Sequence, residues 1–167
     1  NIDVEEFRTL WLRSGWEHDA ERGKYKSGDE YLEAFNILLG TSISKPEWIK
    51  MRKKYLRPNF ITLEIAKKLK ANGHEIAILT NNGALLGDSF AEVAPEAFAI
   101  FGANCHCSYE FGARKPEEKV FHNILNKFAK SPEQAIFIDD RIDNIKGAQS
   151  IGINAYQYDL TIDIEAI

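Results

Sequence analysis

The fold of this chain is decided by the stretch IFIDDRIDN at residues 136–144. Its first residues have the composition of a buried β-strand, which ends in the adjacent carboxylates Asp139 and Asp140, and a helical pattern follows directly. Two anionic side chains at one strand end repel each other and need a compensating positive charge. Mg²⁺ is the usual one, since it prefers oxygen ligands and combines one or two carboxylates with substrate phosphate oxygens. The stretch predicts half of a metal and phosphate site, although the acidic pair also fits a helix N-cap.

The bulk composition excludes several classes of protein. A chain of 167 residues fits one domain, or one domain with a small insert. Its net charge of −4 and pI of about 5.6 give no electrostatic argument for binding nucleic acid or an anionic membrane. No apolar run approaches the roughly 20 residues of a membrane span. Two cysteines are too few for a disulfide framework, so we expect a cytoplasmic protein.

Residues 1–57 show helical patterns only, and the periodicity changes near Pro58. Gly40 predicts a helix C-cap. Two capping-box patterns mark helix starts, Ser27 with Glu30 and Ser44 with Glu47. We expect this region to be a small all-helical module.

From Pro58 onward, strand and helix patterns alternate, which is typical of βαβ units and a mainly parallel sheet. The fold class is therefore α/β, and ligands on such sheets bind beyond the carboxyl ends of the strands. A helical stretch is predicted through Phe90, Val93 and Phe98. The predicted strands are Glu75–Leu79, Asn104–Ser108, Ala135–Ile138 and Ile153–Tyr158.

Two further polar clusters follow strand patterns. Thr80 and Asn81 end one strand and are followed by a glycine, which suits an anion-binding turn, although a plain turn also explains them. Lys115 precedes Pro116 at a predicted helix start, where the proline suits the first turn. A lone lysine there is usually solvated, so neither cluster is specific alone.

In combination these motifs resemble the haloacid dehalogenase superfamily. The order is Thr80-Asn81, then Lys115-Pro116 about 34 residues on, then the strand ending in Asp139-Asp140 with Asn144 behind it. The subgroup it is most similar to ends its last motif in Asp-Asp-x-x-x-Asn. The resemblance implies a three-layer, Rossmann-like parallel core at residues 58–167. It also implies that residues 1–57 are the family's helical cap.

The resemblance also implies roles for single residues. Thr80 would bind the transferred phosphoryl group through its hydroxyl, with Asn81 beside it. Lys115 would neutralise charge on the nucleophile and the phosphate. Asp140, with Asn144, would ligate Mg²⁺, and Asp139 would orient Lys115 or a water.

The implied activity is Mg²⁺-dependent hydrolysis of a small phosphorylated metabolite through an aspartyl-phosphate. Dehalogenase chemistry uses related motifs without Mg²⁺, so the acidic pair argues against it. The rival from another class is a non-catalytic binding or scaffold protein with the same fold. Neither a nucleic acid nor a membrane is an expected partner, and the oligomeric state is left open.

One family motif is absent from the sequence. The first motif, Asp-x-Asp at the end of the first strand, supplies the nucleophile, and Asp3-Val4-Glu5 has helical surroundings instead. The nucleophile segment lies upstream of Asn1 in the parent protein, or the chain is a non-catalytic remnant, or another strand fills the place. The alternating tail at residues 159–165 is the candidate for that third explanation. We expect residues 1–167 alone to be inactive.

The run Cys105-His106-Cys107 invites a metal interpretation. Strand alternation puts both cysteines on one face, and a zinc site needs four ligands. We therefore expect this run to pack within a strand.

Overall fold

A computed structural model describes residues 3–158 of the chain. The described residues form two compact units, the first ending at Glu110 and the second beginning at Phe111. The helices and strands of the first unit are α1 (Val4–Phe7), a π-helical segment (Arg8–Arg13), α2 (Trp16–Glu21), α3 (Gly28–Leu39), α4 (Lys45–Tyr55), α5 (Phe60–Ala71), β1 (Ile78–Thr80), α6 (Ala84–Val93), α7 (Pro95–Phe101), a 3₁₀ turn (Gly102–Asn104) and β2 (Cys105–Cys107). Those of the second unit are α8 (Glu118–Lys127), a 3₁₀ turn (Pro132–Gln134), β3 (Ile136–Asp139), α9 (Ile142–Gln149) and β4 (Asn154–Gln157), and a further 3₁₀ turn (Ser108–Phe111) spans the division.

The predicted helix caps form, but the capping box at Ser27 is half complete, because the Glu30 carboxylate accepts from the backbone N–H of Lys26, at 2.8 Å, and not from that of Ser27. The backbone N–H of Glu30 donates to the Ser27 hydroxyl at 3.2 Å, which satisfies one of the first N–H groups of α3. The same helix ends at Gly40, whose φ of 59° lies in the left-handed region that favours glycine. Ser44 and Glu47 form a capping box at α4. Local sequence therefore fixes both ends of α3 and the start of α4.

The first unit has one apolar core, to which helices of the predicted cap and α6 both contribute. Tyr31 and Phe35 of α3 lie in it beside Leu85 and Phe90 of α6. No strand occurs among the described residues before Ile78. The cap boundary predicted near Pro58 stays a prediction, since helices on both sides of it share this core.

Each strand pairs in parallel with one partner within residues 3–158. β1 pairs with β2, with Thr80 opposite Cys107, and β3 pairs with β4, with Asp139 opposite Gln157. The expected α/β class with parallel strands is confirmed. The carboxyl end of β1 carries Thr80, and that of β3 carries Asp139, as the sequence predicts.

The second unit is built on α8 and α9. Val120 and Phe121 of α8 are fully or almost fully buried, as are Ile145 and Ala148 of α9. The Phe121 ring meets that of Phe137 on β3 edge to face, with centroids 5.2 Å apart. This packing holds the strand that ends in the acidic pair.

Several elements differ from the sequence prediction. β1 begins at Ile78 instead of Glu75 and is half-buried. Pro95 divides the predicted helical stretch into α6 and α7, because a proline is tolerated only in the first turn of a helix. Pro116 lies in a turn, joined to Lys115 by a cis peptide bond, and α8 begins only at Glu118. The tail at residues 159–165 lies outside the described residues.

None of the helices in residues 3–158 combines the length and apolar character that crossing a bilayer requires.

Candidate functional site

Three of the predicted site residues meet at the end of β3. The Lys115 ammonium donates to Oδ2 of Asp139 at 2.7 Å, and Nδ2 of Asn144 donates to Oδ1 at 2.9 Å. The backbone N–H of Arg141 also donates to Oδ1, at 2.9 Å. The side chains of Lys115 and Asp139 are only 10% and 8% exposed. Asp139 is therefore held on both oxygens, and Lys115 is fixed at the strand end.

The pKa of Asp139 reflects opposing effects. Burial raises the pKa, but the hydrogen bond and positive charge of Lys115 lower it, as do the hydrogen bonds from Arg141 and Asn144. The sum lies below the ordinary value for an aspartate. Asp139 is therefore ionised at neutral pH, which is what pairing with an ammonium requires.

Lys115 is positioned by a close approach between its turn and α9. A Cβ built on Gly147 would lie 2.2 Å from the carbonyl oxygen of Pro116, closer than atoms can stand. Gly147 therefore lets the turn rest directly on the helix. The ammonium of Lys115 also lies 5.4 Å from the centre of the Phe137 ring.

Asp140 differs from its neighbour. It is exposed, and its backbone carbonyl accepts a hydrogen bond from Nε2 of Gln157 at 2.9 Å. Within residues 3–158 its carboxylate makes no hydrogen bond or ion pair. At this strand end, the Asp139 carboxylate is therefore hydrogen-bonded on both oxygens, while the oxygens of the Asp140 carboxylate are available to bind a ligand.

The donor set at this strand end fits Mg²⁺. Asp140 offers its carboxylate oxygens as ligands. Asn144 uses its amide nitrogen to donate to Asp139, so its amide oxygen is available as a second ligand. Mg²⁺ binds through one or two carboxylates and takes its other ligands from water and phosphate. Among the described residues no group of three or more His, Cys, Asp or Glu side chains is placed to hold a metal ion without such help.

The predicted phosphate-binding turn lies in the first unit. Nδ2 of Asn82 donates to the Thr80 hydroxyl oxygen at 2.8 Å, and Asn81 lies half-buried between them. α6 begins two residues after Asn82, so the positive end of its dipole lies at the turn. The turn offers a hydroxyl and helix N–H groups to an anion. Its joint action with the residues at Asp139 stays a prediction.

Sequence reasoning missed the residues that hold this turn. The backbone N–H of Asn82 donates to the Ser108 hydroxyl at 3.3 Å, and Nη2 of Arg52 donates to Oδ1 of Asn82 at 3.0 Å. Ser108 and Asn82 adjoin the motifs and could have been suspected. Arg52 stands among other basic residues of α4, where nothing in the sequence distinguishes it.

The run at residues 105–107 forms β2. Its two cysteines are free thiols, and His106 is 2% exposed, with Nδ1 2.9 Å from a carboxylate oxygen of Glu110. Burial and the charge of Glu110 raise the pKa of Cys105 to about 11, and burial also raises the pKa of Cys107. Both thiols are therefore protonated at neutral pH.

Comparison with known proteins identifies the family of the chain. The profile of the haloacid dehalogenase-like hydrolase family matches residues 3–152. A structure of a HAD family enzyme, bt-2542 from Bacteroides thetaiotaomicron, has a TM-score of 0.74 at 23% identity, with 97% of this chain and 81% of that chain covered. That enzyme has also been crystallised with magnesium and inorganic phosphate, at a TM-score of 0.71 and 21% identity, with 99% and 91% covered.

Two curated relatives have been matched by sequence. The sesquiterpene phosphatase astK of Aspergillus oryzae is 26% identical over 157 residues, which cover 91% of this chain and 76% of that protein. Acyl-CoA dehydrogenase family member 10 of Mus musculus is 31% identical over 100 residues, 59% of this chain but only 9% of that protein. The chain belongs to the haloacid dehalogenase-like hydrolases, and its core has their Rossmann-like α/β fold.

Proposed function

We propose that this chain belongs to a Mg²⁺-dependent phosphatase that acts on a small phosphorylated metabolite through an aspartyl-phosphate. The observation that carries the proposal is the end of β3, where Lys115 is paired with Asp139 while the Asp140 carboxylate has no partner in the described part of the chain. The fixed ammonium of Lys115 would neutralise charge on a phosphoryl group, and the available carboxylate of Asp140 would bind the metal ion. The sesquiterpene phosphatase relative supports the same reaction class.

The residues of the chain divide the work of phosphoryl transfer, which consists mainly of positioning and charge neutralisation. Lys115 neutralises charge on the nucleophile and the phosphoryl oxygens, and Asp139 keeps it in place. The Thr80 hydroxyl and the Asn81 turn bind the phosphoryl oxygens. The order of these motifs along the chain supports their acting together.

Asp140 and Asn144 would hold the metal ion. When bound, Mg²⁺ supplies positive charge against the phosphoryl oxygens. Asn144 is 3% exposed and hydrogen-bonded to Asp139, so its amide oxygen is held in one place. The attacking carboxylate is expected upstream of Asn1, because Asp139 is committed to Lys115.

The test is hydrolysis of p-nitrophenyl phosphate by the full-length protein, including any encoded residues upstream of Asn1. We expect turnover that requires Mg²⁺ and is lost in Asp140→Ala. Asp143→Asn removes an exposed carboxylate one turn away in α9 and is the matched control, which should keep full activity. Chloride release from a 2-chloro acid without Mg²⁺ would favour dehalogenase chemistry. No turnover on a broad phosphate panel would favour the non-catalytic interpretation.

A further inference from the structure

A residue of α4 contacts the phosphate-binding turn from the helical part of the first unit. Nη2 of Arg52 lies 3.0 Å from Oδ1 of Asn82, and Nδ2 of the same amide lies 2.8 Å from the Thr80 hydroxyl oxygen. Arg52 and Asn82 are 30 positions apart in the sequence. The contact is therefore made by the tertiary fold.

The direction of these hydrogen bonds follows from the chemistry of arginine. A guanidinium has donors and no acceptor, so the Asn82 amide atom that faces Arg52 must be the oxygen. The amide nitrogen then faces Thr80 and donates to its hydroxyl oxygen. Because that bond uses a lone pair of the Thr80 oxygen, the hydroxyl proton points elsewhere and is free to donate.

We propose that Arg52 is a positioning residue that acts through Asn82 to set the Thr80 hydroxyl as a hydrogen-bond donor to the bound phosphoryl group. This inference rests on the proposed function, in which Thr80 binds phosphate. A phosphoryl oxygen accepts hydrogen bonds, so a hydroxyl whose proton is already turned away from Asn82 can donate to it with little reorientation.

Both partners of the contact are held in place. The Arg52 guanidinium lies over the ring of Trp48, one turn back on α4, at 5.5 Å from its centroid. Trp48 is 4% exposed, which fixes that platform in the core. The Asn82 backbone is tied to the neighbouring strand end, since its N–H donates to Ser108 and its carbonyl accepts from the N–H of Tyr109 at 3.4 Å. The amide between them has little freedom to turn.

The charge of Arg52 also reaches an acid of the first unit. The Glu17 carboxylate accepts hydrogen bonds from Trp11 at 2.6 Å and Tyr31 at 2.8 Å. Burial raises the pKa of Glu17, while these hydrogen bonds and the charge of Arg52 lower it. Arg52 is half-buried, unlike its exposed neighbour Lys53.

The experiment measures affinity for inorganic phosphate by calorimetry in the presence of Mg²⁺, and kcat/KM for p-nitrophenyl phosphate, in the full-length protein. Arg52→Met should lower both by about tenfold, the value of one well-placed hydrogen bond to a charged group. Arg52→Lys keeps a charged donor for the Asn82 oxygen and should recover most of the loss. Lys53→Met removes an equal charge from the same helix without touching Asn82 and should change neither quantity.

A double-mutant cycle separates positioning from structural support. If Arg52 acts through the Thr80 hydroxyl, Arg52→Met should have no further effect once Thr80→Val has removed that hydroxyl. Two results would overturn the inference and leave the proposed function intact. One is that the losses of affinity and turnover in the two single variants multiply in the double variant. The other is a lower melting temperature in Arg52→Met that Arg52→Lys does not restore. If Thr80→Val itself changes neither affinity nor turnover, the proposed role of Thr80 fails, and the inference about Arg52 fails with it.

Discussion

Asp139 and Asp140 are neighbours in the sequence, yet the structure gives them different tasks. Asp139 accepts hydrogen bonds on both oxygens, one of them from Lys115. Asp140 is exposed, with only its backbone carbonyl engaged in the described part of the chain. Asp139 is the last residue of β3, whereas Asp140 lies in the bend between β3 and α9, so the two side chains meet different surroundings.

Removing the ammonium at this strand end should affect stability and catalysis together. Lys115→Met leaves the buried Asp139 carboxylate without its counter-charge, which we expect to lower the free energy of unfolding by about 3 kcal/mol. It should also reduce kcat by at least about 100-fold, since charge on the phosphoryl group is no longer neutralised. Urea unfolding and p-nitrophenyl phosphate turnover measure the two effects. Lys146→Met, on the exposed face of α9, is the matched control. Unchanged turnover in a folded Lys115→Met protein would refute the role of the lysine.

The acid stability of the protein should depend on Asp139. Its pKa in the folded state lies below the ordinary value, through Lys115 and the hydrogen bonds that outweigh burial. Its contribution is therefore complete above the unfolded-state pKa of about 3.9 and is lost as the pH falls through the lower folded-state value. We expect the free energy of unfolding to fall less steeply with acid in Asp139→Asn than in the parent, as measured by urea unfolding between about pH 5 and 2. An equal dependence of the unfolding free energy on pH in both proteins would contradict this expectation. The control is Asp143→Asn, which should leave that pH dependence as it is in the parent.

The contact between α9 and the Lys115 turn depends on one glycine, Gly147. Gly147→Ala would normally stabilise a helix by about 1 kcal/mol. Here the new methyl group would meet the Pro116 carbonyl, so the turn must move, and we expect a net loss of about 1–3 kcal/mol. Because Lys115 moves with the turn, kcat should fall as well. Thermal unfolding and turnover test this, with Lys146→Ala on the same helix as control. A stabilised Gly147→Ala protein would show that the turn is not in contact.

The sequence predicted those elements that local chemistry determines. Ser27 with Glu30 and Ser44 with Glu47 act at helix starts as their spacing indicates. The position of Asp139 at the end of β3 also follows from local pattern. The contact of Arg52 with Asn82 could not be predicted, because it depends on α4 packing beside a turn 30 residues away.

Burial was predicted less well than element type. The composition of β3 is that of a strand buried on both faces, as is usual in parallel sheets. In the structure Ile136 and Ile138 are 70% and 42% exposed, while Phe137 between them packs on Phe121. The number of layers that cover a strand is a property of the tertiary fold, which the composition of four residues does not contain.

The proposed reaction also requires a group that attacks phosphorus. A covalent transfer needs a nucleophile, and Lys115, Thr80 and a metal ion stabilise charge without providing one. Among the described residues, the carboxylates at the strand ends are Asp139 and Asp140. Asp139 is paired with Lys115, and Asp140 is the proposed metal ligand, so neither carboxylate is placed to attack phosphorus.

Three proteins decide where the nucleophile comes from. We expect residues 1–167 alone to show no Mg²⁺-dependent hydrolysis of p-nitrophenyl phosphate, and a version extended upstream through a strand ending in Asp-x-Asp to show it. In the extended protein, replacing the first aspartate of that motif with asparagine should abolish turnover, because the asparagine amide cannot form the aspartyl-phosphate. The extended protein should also melt at a higher temperature, since an added strand satisfies backbone groups at a sheet edge. Robust turnover by residues 1–167 that is lost in Asp163→Asn would place the nucleophile in the tail instead.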